Sequence, residues 1–116
     1  MGQMIIEFNM TDTQRLPADT LELMRENSKE AARLMKALAN GSRLMILCYL
    51  EGKELSVTEL NEHLDLSQSA LSQHLAVLRR DGLVKTRRDS QTIYYSLEGD
   101  RAQRIISTLH GMYCGI

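Results

Sequence analysis

Leu71, Leu75 and Leu78 stand at i, i+4 and i+7 in the stretch from Leu66 to Leu83. That spacing lays them on one stripe of a helix, with an apolar side turned inward. Ser67 supplies an N-cap oxygen at its start, and Gly82 can take the left-handed conformation that ends it. The opposite face carries Ser69, Ser72, Gln73, Ala76, Arg79 and Arg80, small and hydrogen-bonding first, cationic later. Just upstream, Ser56-Val57-Thr58-Glu59 has the form of a capping box and opens a short helix with Leu60 and Leu64 inward, ending near Asp65. After Gly82 the period changes. Val84–Arg88 and Gln91–Leu97 are rich in β-branched and aromatic residues around a polar Asp89-Ser90 turn, which predicts a hairpin. Helix, turn, helix and hairpin together make a winged helix.

The flanks supply the rest of a mainly α fold with a small β-hairpin wing. Asn40 caps a helix from Gly41 to Glu51 whose run Leu44-Met45-Ile46-Leu47-Cys48-Tyr49-Leu50 is apolar all round, the pattern of a central core helix. Before it, Leu16-Pro17-Ala18-Asp19-Thr20 starts a helix that runs to about Ala39. Its Leu21, Met24, Ser28, Ala31, Met35 and Leu38 fall near a seven-residue spacing, and Ala32 and Leu34 add apolar surface beyond one contact, which favours a homodimer seam. After the wing, Asp100 to about Cys114 forms a last helix with Ile105, Ile106, Leu109, Met112 and Tyr113 on its apolar face. Residues 1–16 have no clear period and read as a flexible tail before a single domain over 17–116, although Ile5, Ile6 and Phe8 could dock on a partner subunit. The seven methionines fall mostly in apolar stripes and are expected to fill the core.

Net charge, −1, gives no sign of nucleic acid, but its distribution does. Residues 1–66 carry 7 basic against 11 acidic side chains, 67–97 carry 5 against 2, and 98–116 balance. The positive charge therefore sits on the proposed recognition helix and wing, where phosphates would lie. The N-terminal half of such a helix meets base edges. Gln68, Ser69, Ser72 and Gln73 are the candidates for that role, and His74 borders the core side of the recognition helix and can reach DNA. Arg79, Arg80, Lys85, Arg87 and Arg88 are the candidates for phosphates, with Gln91 beside the wing turn. The expected partner is double-stranded operator DNA with an imperfect palindrome, matching a two-fold dimer. No secretory leader or membrane-length apolar run is present, so the expected location is the cytoplasm, where cysteines rest as thiols.

Cys48 and Cys114 lie too far apart in sequence for a CxxC or zinc-knuckle motif. A cysteine in an apolar helix is ordinarily a small buried hydrophobe. Cys114, near the chain end, is open to oxidants, and His110 four residues earlier shares its helix face. An imidazolium there would favour the thiolate while the helix C-terminus disfavours it, so the residues alone leave both a redox pair and two inert thiols open. His63, His74 and His110 are scattered and supply no four-donor zinc set, so no metal or other cofactor is expected. A thiol peroxidase built on Cys114 and His110 is a second class of function, without an evident anion-stabilising loop. A winged helix used for protein binding alone is a third, against which the polar-then-arginine helix and basic wing argue.

Residues 40 to 97 resemble the ArsR/SmtB winged-helix repressors of bacteria. The resemblance is carried by Asn40-Gly41-Ser42-Arg43-Leu44, by the motifs from Glu54 to Leu60, Leu66 to Leu75 and Leu78 to Val84, and by Ile93-Tyr94-Tyr95. It implies a dimeric DNA-binding regulator and not an enzyme. Within the family the chain is most similar to the HlyU/BigR/SqrR branch, which senses reactive sulfur or oxidants through two cysteines that become bridged, with release of DNA. Cys48 and Cys114 fall where that branch has its pair. The branch also implies a second mode of action, anti-silencing activation of virulence genes. A metal-responsive repressor is the rival within the family. Its arsenic and cadmium members would need cysteines where this chain has Ser56-Val57-Thr58, and its zinc members a histidine near Asp100-Arg101-Ala102.

Overall fold

The computed structural model describes residues 18–115. The elements in chain order are α1 (Ala18–Leu38), α2 (Gly41–Leu50), β1 (Leu55–Ser56), α3 (Val57–His63), α4 (Gln68–Arg80), β2 (Val84–Asp89), β3 (Thr92–Leu97) and α5 (Arg101–Tyr113). Two units divide within α1, between Ala32 and Arg33. Expectations for the first 17 residues, including the tail and the Pro17 helix start, lie outside the described residues.

The caps form as the sequence requires. Asn40 accepts from the Arg43 amide at 3.0 Å, and the Ser56 hydroxyl accepts from the Glu59 amide at 3.1 Å while the Glu59 carboxylate accepts from the Ser56 amide at 2.8 Å. Ser67 caps α4 by accepting from Ala70 at 3.1 Å. The far end of α4 is a Schellman motif: Gly82, at φ 74°, donates to the Arg79 carbonyl at 3.0 Å and Leu83 donates to Leu78 at 2.9 Å. A side chain at Gly82 would be strained by that φ, so the stop signal is a backbone requirement.

Leu71, Leu75 and Leu78 are buried against Ile46, Leu47 and Leu50 of α2 and Leu60 of α3 in one core. This is what holds the polar face of α4 outward. The sheet is antiparallel in the order β1-β3-β2, with Leu55 opposite Tyr95 and Val84 opposite Leu97. The arrangement is a winged helix-turn-helix.

Several expectations shift. Asp89 and Thr92 pair across the hairpin, so the turn is Ser90-Gln91, one residue later than expected, with Ser90 at φ 59°. β1 was not anticipated, because two residues are too short to show alternation. The methionines among the described residues do not fill the core. Met24, Met35, Met45 and Met112 are 54%, 62%, 46% and 63% exposed, and Met1, Met4 and Met10 lie outside the described residues. The apolar face of α5 is likewise buried only in part, since Ile106 is in the core while Tyr113 is 82% exposed.

Candidate DNA interface and thiol groove

The surface of α4 follows from its buried stripe. Gln68, Ser69, Ser72, Gln73, Arg79 and Arg80 are all exposed, on the side away from the core. His74 is different. It is half-buried, and its Nδ1 lies 3.5 Å from Nη1 of Arg43, so it turns toward α2 instead of joining the exposed face. Arg43 also donates from Nε to the Ala37 carbonyl at 2.6 Å and from Nη2 to the Lys36 carbonyl at 3.3 Å. One guanidinium thus reaches two carbonyls at the end of α1, those of Ala37 and of Lys36, the latter also accepting from the Ala39 amide at 3.2 Å, and touches the recognition helix as well. Sequence reasoning gave Arg43 no role. The signal was there, as an arginine at the head of an otherwise apolar helix.

The C-terminal end of α4 is held by charge. Asp81, with its side chain 5% exposed, pairs with Arg33 at 3.0 Å and Arg80 at 3.4 Å. Burial alone would raise its carboxyl, but the hydrogen bonds and charges of Arg80 and Arg33 outweigh it and hold the group below the usual carboxylate range. A folded pKa below the unfolded one stabilises the fold above the unfolded pKa, and that contribution is lost as pH falls through the folded value. Asp81→Asn is therefore expected to lower stability at neutral pH and to narrow the gap from wild type in strong acid, measured by urea titration between about pH 2 and pH 7.

The wing splits the basic candidates. Lys85 and Arg88 are exposed and, among the described residues, form no ion pair, as is also true of Arg79. Gln91 is exposed in the turn. Arg87 is occupied by Glu54, with Nη2 at 2.8 Å from Oε1 and Nε at 3.0 Å from Oε2, and it lies 4.8 Å over the Tyr94 ring. The Arg87 hydrogen bond holds the Glu54 carboxyl below its ordinary range, and Glu54 in turn raises the guanidinium.

On the far side of α2 the two cysteines face one groove of about 600 Å³, lined by Leu44, Met45, Cys48, Ile106, Leu109, His110, Tyr113 and Cys114. Cys48 is half-buried on α2, and Cys114 is the exposed C-cap of α5. The imidazole expected beside Cys114 is turned to Cys48 instead, with Nε2 at 3.7 Å from Sγ. The Cys114 amide donates to the His110 carbonyl at 2.8 Å. Burial pushes the Cys48 thiol up, and the negative fields of Glu51 and Cys114 add to the shift. Cys48 therefore rests protonated, while Cys114 is the thiol a reagent in solution meets first.

The profile of the bacterial regulatory protein arsR family matches residues 40–86, from the cap of α2 into β2. The transcriptional activator HlyU of Vibrio cholerae is 55% identical over 94 residues, which cover 81% of this chain and 87% of that one. The chain belongs to the ArsR family. The biofilm growth-associated repressor of Agrobacterium fabrum is 45% identical, over 81% of this chain and 80% of its own. The structure of reduced HlyU from Vibrio cholerae superposes with a TM-score of 0.74 at 55% identity, covering 80% of this chain and 98% of that one.

This ArsR-family protein is accordingly a DNA-binding transcriptional regulator and not an enzyme, which sets the peroxidase reading aside. Among the described residues, no group of three metal-ligating side chains comes together and no helix is long and apolar enough to cross a membrane. The Glu54 pair refines what the wing of the regulator should do. Arg88→Ala is expected to make the salt dependence of DNA binding shallower by about one unit, and Arg87→Ala by less, because Arg87 is already neutralised by Glu54. Titrations at several salt concentrations check this. Equal slopes for the two variants would mean that Arg87 leaves Glu54 for a phosphate.

Proposed function

We propose that this regulator acts as a homodimer that lays α4 of each protomer in a major groove and releases its operator when Cys48 and Cys114 are bridged by reactive sulfur species or oxidants. The observation that carries the sensing half is the shared groove: Cys48 and Cys114, 66 positions apart in sequence, line one cavity together with His110. α2 packs in one core with α4, so a bond that draws α2 and α5 together loads the helix that carries the recognition face. The dimer is supported by apolar surface that one chain leaves in water. Leu21, Leu23 and Met24 of α1 are 51%, 57% and 54% exposed, and Met112 of α5 is 63% exposed. The cytoplasm is the fitting compartment for a sensor that must start as two thiols.

The exposed N-terminal half of α4 supports base reading by Gln68, Ser69, Ser72 and Gln73, with Arg79, Arg80, Lys85, Arg88 and Gln91 nearer the backbone. Gln73→Ala should cost about 1–3 kcal/mol on the preferred sequence and little on random DNA. An equal loss on both would remove Gln73 from base reading. His74, turned to Arg43, is better suited to positioning α4 than to touching a base.

The reading is tested by fluorescence anisotropy on palindromic DNA selected from a random pool by the reduced protein. Treatment with sodium tetrasulfide should weaken binding roughly tenfold or more, within the range of ordinary allosteric coupling. Unchanged affinity of a fully oxidised sample would refute the switch.

A further inference from the structure

The groove that holds the two thiols is apolar. Leu44, Met45, Ile106, Leu109 and Tyr113 make its walls, and among the described residues no lysine or arginine lines it. Among charged side chains the carboxylate of Glu51 acts most strongly on Cys48, and it repels anions. An inorganic polysulfide at neutral pH is an anion, and entering this groove would strip its water with the His110 imidazole, and no permanent cation among the described residues, to meet it. A neutral chain of sulfur atoms with small alkyl ends would instead gain from burial of those ends.

Resting on the two-cysteine reading, we infer that the groove is a binding site for neutral, apolar sulfur carriers, organic trisulfides R–S–S–S–R with short alkyl groups, and that these are its preferred signal over anionic polysulfides. The chemistry balances without another reactant. The exposed Cys114, as thiolate, attacks the central sulfur. One S–S bond breaks, RS⁻ leaves and takes up the proton that Cys114 lost to water, and Cys114–S–S–S–R remains. The Cys48 thiol, giving its proton to Nε2 of His110, attacks the sulfur next to Cys114 in the new chain. That yields Cys114–S–S–Cys48 and the persulfide RSS⁻, which takes the proton from His110. Attack one sulfur farther along yields instead Cys114–S–S–S–Cys48 and RS⁻. In either case the two cysteine thiols are oxidised and the trisulfide is reduced to thiol or persulfide products. The volume of about 600 Å³ has room for the reagent and both sulfur atoms together.

The test uses the full chain, reduced, with three probes: dipropyl trisulfide, glutathione trisulfide, which carries the same sulfur chain between charged ends, and sodium tetrasulfide. Each rate of bridge formation, read by intact mass, is divided by the rate of the same probe with a small free thiol. The expected result is that dipropyl trisulfide leads both charged probes by about tenfold, as burial of its alkyl ends would give. Met45→Lys, at a position 46% exposed on the groove wall and so tolerant of substitution, should narrow that lead by favouring the anions while the bridge still forms. Equal corrected rates, faster anionic probes, or an unchanged preference in Met45→Lys would overturn the inference and leave the switch standing. If no probe bridges Cys48 to Cys114, both fail.

Discussion

Cys48→Ser and Cys114→Ser should each bind operator DNA as tightly as the reduced wild type and keep it when tetrasulfide is added, where the wild type lets go. The expected difference in the treated samples is roughly tenfold to hundredfold in affinity. Neither thiol lies on the face of α4, so neither substitution removes a DNA contact. The two variants should differ in stability. Cys114 is exposed, and serine there should be silent. Cys48 is half-buried, and serine places a hydroxyl beside Nε2 of His110, which can partner it, so the cost should stay near 1 kcal/mol by urea unfolding. Release of DNA by oxidised Cys48→Ser would reduce Cys48 to a core residue and leave Cys114 to act alone.

Arg43→Ala is expected to have the largest effect outside the thiols. It strips the charged donors from the carbonyls of Lys36 and Ala37 and removes the contact with His74. Ala37 is 2% exposed, so its carbonyl has little access to water as a replacement. Bonds from charged donors contribute about 1.5–3 kcal/mol each, and a loss of about 2–4 kcal/mol in unfolding free energy should follow. Because Arg43 also touches α4, DNA affinity per folded molecule should fall as well. Arg43→Lys keeps the charge without the planar fork and should recover only part of either loss. Stability lost with DNA affinity intact would make Arg43 a tie between α1 and α2 and nothing more.

What could be read from sequence was what is local. The caps at Asn40, Ser56 and Ser67, the stop at Gly82 and the leucine stripe of α4 each depend on residues within a turn or two, and each is where the sequence put it. Pairs distant along the chain were not legible. Glu54 and Arg87 are 33 residues apart, and Cys48 and His110 are 62 apart, so no periodicity links them. His110 was placed with its helical neighbour Cys114, since helix spacing is the contact a sequence displays. The fold brings α2 within reach and the ring turns there instead. Exposure of Met35, Met45 and Met112 was missed for a related reason. An apolar stripe declares that a helix has something to bury, but not whether its own core or another surface buries it.

The central claim is that bridging the two thiols is what frees the DNA. Its most direct test follows both events on one sample: operator-bound wild type is treated with tetrasulfide, and at each time point anisotropy reports the DNA still bound while intact mass after acid quench reports the Cys48–Cys114 bridge. Bound DNA is predicted to fall in step with the appearance of the bridge, and reduction by dithiothreitol should restore both. Bridge formation that runs to completion with the DNA still bound, or release that precedes any bridge, would contradict the account.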